Sequence, residues 1–158
     1  MVATPAFAMS GLWDMVDWNE ATSVLYGDIH QMPPRDRNCL WQHFANSHYN
    51  KMLANKETVL PYIAALFRYT TAQYADLEWR SQLIKEISST SRSFSTLWNT
   101  YAVADWGKAL KYFNHPKLGK LTFTNVSHRV AKMSGDSVRM VTYFPDEASG
   151  TRALLLSL

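Results

Sequence analysis

Two arginines are the side chains best placed, by type and neighbourhood, to recognise a small molecule. Arg37 stands just ahead of Cys39, Leu40 and Trp41, and Arg68 follows Leu66 and Phe67. A guanidinium in such company either pairs with a nearby acid and ties helix to helix, or holds the carboxylate of a ligand. The second use matters because an unpaired charge in an apolar pocket is costly, so a buried acidic ligand needs a cationic partner. Aromatic residues, 13% of the chain with six tryptophans among them, supply the apolar part. Each is a core residue by default. Yet a curved sheet covered by helices and rich in Trp, Phe and Met also leaves room for an elongated apolar cavity, and a fatty acyl chain suits it. The candidate lining is Phe44, Leu66, Phe94, Trp98, Phe123 and Met140, with Arg37 or Arg68 at the polar end.

Other chemistry is thin. The histidines, His30, His43, His48, His115 and His128, are dispersed, and none falls four residues from another, so no metal site can be drawn from them. His115 precedes Pro116, which pushes it toward extended backbone, and reads as a turn residue whose ring bonds nearby backbone. Asp14, Asp17 and Glu20 read as surface and cap residues. With six glycines there is no phosphate-cradling loop, and Gly-x-Ser-x-Gly is absent. The single Cys39, among Leu40, Trp41 and Phe44, reads as a buried thiol rather than a nucleophile. An enzyme therefore has no motif behind it, and no cofactor is expected apart from a bound fatty acid.

The elements that must position these residues divide the chain. Ala6 to Trp18 reads as an extended segment that stops at Asn19, which caps a short helix Glu20 to Tyr26 with Gly27 past its end. Pro33 and Pro34 open a helix through Phe44. A long helix starts near Thr58 with Pro61 in its first turn, and its stripe Val59, Ile63, Leu66 and Phe67 points toward Thr70 and Tyr74. Arg68 falls near its middle. Glu78 to Ser88 repeats the pattern, and Ser91 caps a helix carrying Phe94, Leu97, Trp98 and Tyr101. From Trp106 the period turns toward two. Lys108 to Asn114 and Lys120 to Val126 form a hairpin about a five-residue connection, His115 to Gly119. A strand around His128 to Met133 meets the turn Gly135-Asp136, and Ser137 to Phe144 reads as a central strand covered on both sides. Glu147 to Leu158 closes the chain as a helix burying Ala153, Leu154, Leu156 and Leu158. The fold class is α+β: an antiparallel sheet assembled from both chain ends, with inserted and covering helices.

Length and composition bound the rest. The chain of 158 residues fits one domain, 1–158. Hydrophobic residues at 47% against 18% charged argue against disorder and leave apolar surface, which favours a homodimer. The formal charge of +3 and pI near 9.0 are too mild to make a DNA reader. No apolar run spans a bilayer, and the N-terminus makes a poor signal peptide, so no membrane partner is expected. A reducing cytoplasm suits the lone thiol.

Several spaced motifs carry a resemblance. Pro5-Ala6-Phe7 runs to Trp18-Asn19-Glu20-Ala21; Arg37-Asn38, Leu66-Phe67-Arg68 and the stretch Ser91 to Trp98 follow, and then His115-Pro116-Lys117-Leu118-Gly119-Lys120-Leu121. In that order they resemble the MmyB-like ligand-binding domain, the PAS-like sensory half of a family of helix-turn-helix (XRE-type) transcription regulators. The family commonly carries His-Asp-Val soon after the Trp, where this chain has Tyr101-Ala102-Val103. The resemblance implies a PAS-like fold, a small lipid-like ligand and a role as a bacterial sensor module. No helix-turn-helix segment stands before Pro5, so DNA contact is expected only through such a domain attached to or partnering this chain. Two other readings stand beside it: a dimerisation module without ligand, and a small-molecule enzyme on an α+β scaffold.

Overall fold

A computed structural model describes residues 4–101, 110–131 and 137–158. Five strands form one antiparallel sheet in the order β2-β1-β5-β4-β3. They are β1 (Ala6–Met9), β2 (Met15–Trp18), β3 (Leu110–His115), β4 (Gly119–Ala131) and β5 (Ser137–Pro145). The N-terminal strands join the sheet through β5, where Phe7 faces Val141, so the sheet draws on both ends of the chain as the α+β reading expects. Registers Phe7↔Val141, Ser127↔Val141 and Lys111↔Phe123 put these side chains on one face. That face carries the buried Phe7, Met9, Phe113, Leu121, Phe123, Val141 and Tyr143. The helices between the N-terminal strands and β3 are α1 (Ser23–Tyr26), α2 (Cys39–Phe44), α3 (His48–Met52), α4 (Lys56–Thr70), α5 (Glu78–Thr90) and α6 (Arg92–Asn99); α7 (Thr151–Leu156) follows β5.

Local signals held where a side chain satisfies backbone. Asn19 accepts from the Thr22 amide, and Ser91 accepts from Phe94 to start α6. At the β3–β4 turn the His115 ring nitrogen Nδ1 accepts the amides of Lys117 (3.2 Å) and Leu118 (3.1 Å). Gly119 closes the turn at φ 79°, a backbone glycine adopts without strain.

Elsewhere tertiary contacts overrode the local reading. The extended segment Ala6 to Trp18 is folded in two, because Trp13 adopts φ 71° and is buried, its Nε1 donating to Thr70 Oγ1 at 3.1 Å and its ring edge-on to Phe67. The helix expected from Pro34 to Phe44 is broken: Pro34–Arg37 is a 3-10 turn, Asn38 is extended, and Asn38 caps α2 by accepting from Trp41. Its amide nitrogen donates to Leu12 O and Asp14 Oδ1, which fixes that geometry. Because α4 begins at Lys56, Pro61 falls in its second turn and Arg68 in its last. The strand expected at His128 is the continuation of β4. β5 is central but covered on one side, since Val141 and Tyr143 are buried while Phe144 is 48% exposed. The closing helix is shorter and differently phased, burying Leu155 and exposing Leu156 and Leu158. Trp106, Lys108, Ala102-Val103, Met133 and the Gly135-Asp136 turn lie outside the described residues. Among the described residues no helix is long and apolar enough to cross a membrane.

Candidate functional site

A cavity of about 300 Å³ lies between the inner face of the sheet and α4. Its walls follow from the two periodicities. The helix α4 contributes Tyr62, Ile63, Leu66, Tyr69 and Thr70 at three- and four-residue steps; α2 contributes Cys39 and His43, one turn apart. The sheet supplies Phe7 and Met9 from β1, Arg139, Val141 and Tyr143 from β5, Asn125 and Ser127 from β4, and Lys111 from β3.

Lys111 is the unexpected residue. The hairpin register sets it opposite Phe123 on the core face, and it is 1% exposed. Its Nζ donates to His43 Nε2 (2.9 Å), Tyr49 OH (2.9 Å) and Tyr143 OH (3.2 Å). His43 Nδ1 lies 2.6 Å from the Cys39 carbonyl, which can only accept, so Nδ1 carries the ring proton and Nε2 faces Lys111 as an acceptor. Tyr143 OH also meets Tyr49 OH (2.9 Å) and Tyr26 OH (3.1 Å), and the rings of Tyr26 and Tyr49 stack. Five elements, α1, α2, α3, β3 and β5, thus meet at one polar cluster inside an aromatic core.

Burial disfavours the charged form of every group in the cluster. Burial lowers the Lys111 ammonium from its ordinary value to about 7. Burial first, then the charge of Lys111, holds His43 well below the usual imidazole range. Burial holds the phenols of Tyr26, Tyr49 and Tyr143 and the Cys39 thiol well above theirs. Among the described residues the three partners of Lys111 Nζ are uncharged, and the ion pair found there, Arg35 with Glu86 at 2.8 Å, is elsewhere. A buried amine ringed by neutral acceptors at the end of a cavity has the chemistry to pair with an anion.

The residues expected to line a ligand site fall in different places. Leu66 lines the cavity. Phe123 lies behind the cluster, edge-on to Tyr143 and close to Phe113. Phe94 stacks on Trp98 and meets Phe44 edge-on, so these three fill the space where α2, α4 and α6 meet. Phe44 also borders a separate open groove with Leu60 and Leu97. Met140 faces Ala8 and His128 on the opposite side of the sheet, because it is one residue out of phase with Val141.

Neither arginine lines this cavity, and among the described residues neither pairs with an acid. Arg37 donates from Nε to Ile29 O (3.2 Å) and from a terminal nitrogen to His30 O (3.0 Å), bracing the loop after α1. Arg68 lies over the rings of Trp98 (4.0 Å) and Tyr101 (4.2 Å) and donates to the Trp98 carbonyl, which joins α4 to α6 without a carboxylate. Lys111 itself was findable: Leu121 and Phe123 mark the inward face of β4, and a hairpin closed at His115 and Gly119 puts Lys111 on that same face. The tyrosines offered no such signal, since their meeting depends on residues far apart in sequence.

This is a ligand-binding domain of α+β class, with an apolar cavity roofed by a helix and floored by an antiparallel sheet. The chain belongs to the family described as the MmyB-like transcription regulator ligand binding domain, whose profile matches residues 1–156. No curated protein matches the chain.

Proposed function

We propose that this domain is the sensor of a bacterial transcription regulator and that its ligand is a fatty acid, bound with its carboxylate on Lys111 and its chain along Leu66, Ile63, Val141 and Met9. The single observation that carries this reading is Lys111, an amine buried in the wall of the cavity whose partners among the described residues are all neutral. A carboxylate there favours the ammonium form and forms a charge-assisted pair. An apolar tail replaces water along the rest of the cavity.

The same cluster gives the signal a route. Lys111, His43, Tyr49, Tyr26 and Tyr143 join five elements, so an anion that draws Lys111 into an ion pair changes the hydrogen bonds among all of them. Ligand then favours one arrangement of the helices over the sheet, and an attached or partner helix-turn-helix domain reads the shift. A homodimer in the cytoplasm fits this role, and the exposed Tyr112, Val126, Val130 and Phe144 on the outer face of the sheet leave apolar surface for pairing. Light scattering across a dilution series reads the mass directly.

The test of the ligand is a comparison of head groups. Decanoic acid should raise the melting temperature and decanol should raise it less, since the alcohol cannot form the ion pair. Equal stabilisation by acid and alcohol removes the carboxylate from the site. Stabilisation by neither removes the ligand.

A further inference from the structure

The cavity that holds Lys111 is polar at both ends and apolar between them. At its mouth, beside the exposed Tyr69 and the half-buried Thr70, stands Arg139 of β5. Arg139 lies directly opposite Arg129 of β4 in the sheet register. Like charges at facing positions repel. Burial first, together with the Arg129 charge, lowers the Arg139 guanidinium, and its Nε donates to the neutral Ser127 Oγ at 3.0 Å. Among the described residues neither arginine forms an ion pair. Among the described residues the fold thus sets two cations side by side with no acid paired to either.

The spacing of the two charged ends suits one extended chain. Residues 139, 141 and 143 of β5 share the inner face, so the floor of the cavity runs Arg139, Val141, Tyr143, with Tyr143 OH touching Lys111. The four residue steps from 139 to 143 cover about 13 Å, the reach of a medium-length acyl chain. A simple fatty acid satisfies Lys111 and leaves a methyl group at the guanidiniums.

We propose that the cavity selects a molecule with an acid at each end, a medium-chain α,ω-dicarboxylate, with one carboxylate on Lys111 and the other on the Arg139–Arg129 pair. This deepens the reading that Lys111 receives a carboxylate and rests on it. It assigns Arg139 as the residue that reads the far end of the chain.

Titration calorimetry with decanoic acid, ω-hydroxydecanoic acid and decanedioic acid tests the assignment. The diacid should bind roughly tenfold tighter than the monoacid, the size of a charged hydrogen bond, with the hydroxy acid between them. Arg139→Met should bring the ratio of diacid to monoacid affinity close to one, and Arg139→Lys should leave it intermediate, because the charge stays while the planar fork is lost. Since each replacement removes a member of the Arg–Arg pair or softens it, the unliganded variants should melt no lower than the parent. A monoacid that binds as tightly as the diacid overturns the two-ended site and leaves the Lys111 reading standing; so does a diacid preference that survives Arg139→Met. If neither acid binds, both fall together.

Discussion

Lys111 and Arg68 are both cations set among aromatic rings, yet they stand in opposite situations. The Arg68 guanidinium lies flat over Trp98 and Tyr101, donates to one carbonyl and keeps contact with water beside Tyr101, which is 72% exposed. A delocalised, weakly hydrated cation is content with ring faces and a single acceptor. The Lys111 ammonium is a compact charge that water solvates strongly, and here it is 1% exposed, with the neutral His43, Tyr49 and Tyr143 as its partners among the described residues. Burial therefore drives it toward the amine. The difference shows that a cation's surroundings, and not its charge alone, decide which protonation form the fold favours.

The largest break of that contrast is Lys111→Met. The apolar replacement removes the anion's partner while filling much the same volume, so acid-over-alcohol selectivity should fall by roughly tenfold or more in calorimetric titration. The unliganded domain should not lose stability, because replacing a buried charge by an apolar side chain is often neutral or stabilising. Tyr49 OH keeps contacts to His43 Nε2 (3.2 Å) and Tyr143 OH (2.9 Å) without the lysine. Acid selectivity that persists in the variant, with the fold intact, would place the carboxylate somewhere else.

A second test uses protons. The folded-state value of Lys111 is lowered from its model-peptide value of 10.5 to about 7. Between those values the unfolded chain binds a proton that the folded chain does not, so stability rises with pH across that window. The slope for one such group approaches about 1.4 kcal/mol per pH unit. Above the ordinary phenol range the trend reverses, since Tyr26, Tyr49 and Tyr143 are held protonated by burial and their unfolded counterparts ionise. Urea titrations at about pH 7, 8 and 9 should show the rise in the parent and a flatter profile in Lys111→Met. Acid binding should run the other way, weakening as pH climbs past 7, because the carboxylate needs the ammonium. A parent profile as flat as the variant's would mean that Lys111 keeps its charge without a ligand.

The same pair of residues measures how far the sequence can be read. The α+β class, the two-ended assembly of the sheet, the caps at Asn19 and Ser91 and the His115 turn were all legible, because each rests on a period or on a contact within a few residues. The N-terminal reversal at Trp13 and the break at Asn38 were not, since each is held by partners across the fold: Thr70 and Phe67 for Trp13, Leu12 and Asp14 for Asn38. Of the residues named for a ligand site, Leu66 lines the cavity under α4. The buried cation in that cavity, Lys111, was not among those named. Arg37 and Arg68 drew attention because guanidinium among aromatics is a familiar anion site, whereas Lys111 reads at first as a strand lysine. Only the register with Phe123 turns it inward, and only the meeting of Tyr26, Tyr49 and Tyr143 from three separate stretches surrounds it with neutral partners.

The smallest expected effect falls on Arg68, and it sharpens the contrast by failing to mirror Lys111. Arg68→Met removes the donor to the Trp98 carbonyl and the stacking over two rings while keeping an apolar stem against α6. Ring–cation contacts at a partly exposed site are worth roughly 0.5–1 kcal/mol each, so the domain should lose about 1 kcal/mol in urea titration, part of it regained by the thioether packing on Trp98. Burial lowers the Arg68 guanidinium, so the charge already costs something here, and its removal offsets part of the loss. Because Arg68 meets Trp98 and Tyr101 and not the cavity beneath α4, the preference for acid over alcohol should remain as in the parent. An Arg68→Met variant that folds but no longer distinguishes the two head groups would return the carboxylate to Arg68 and reduce Lys111 to a buried brace.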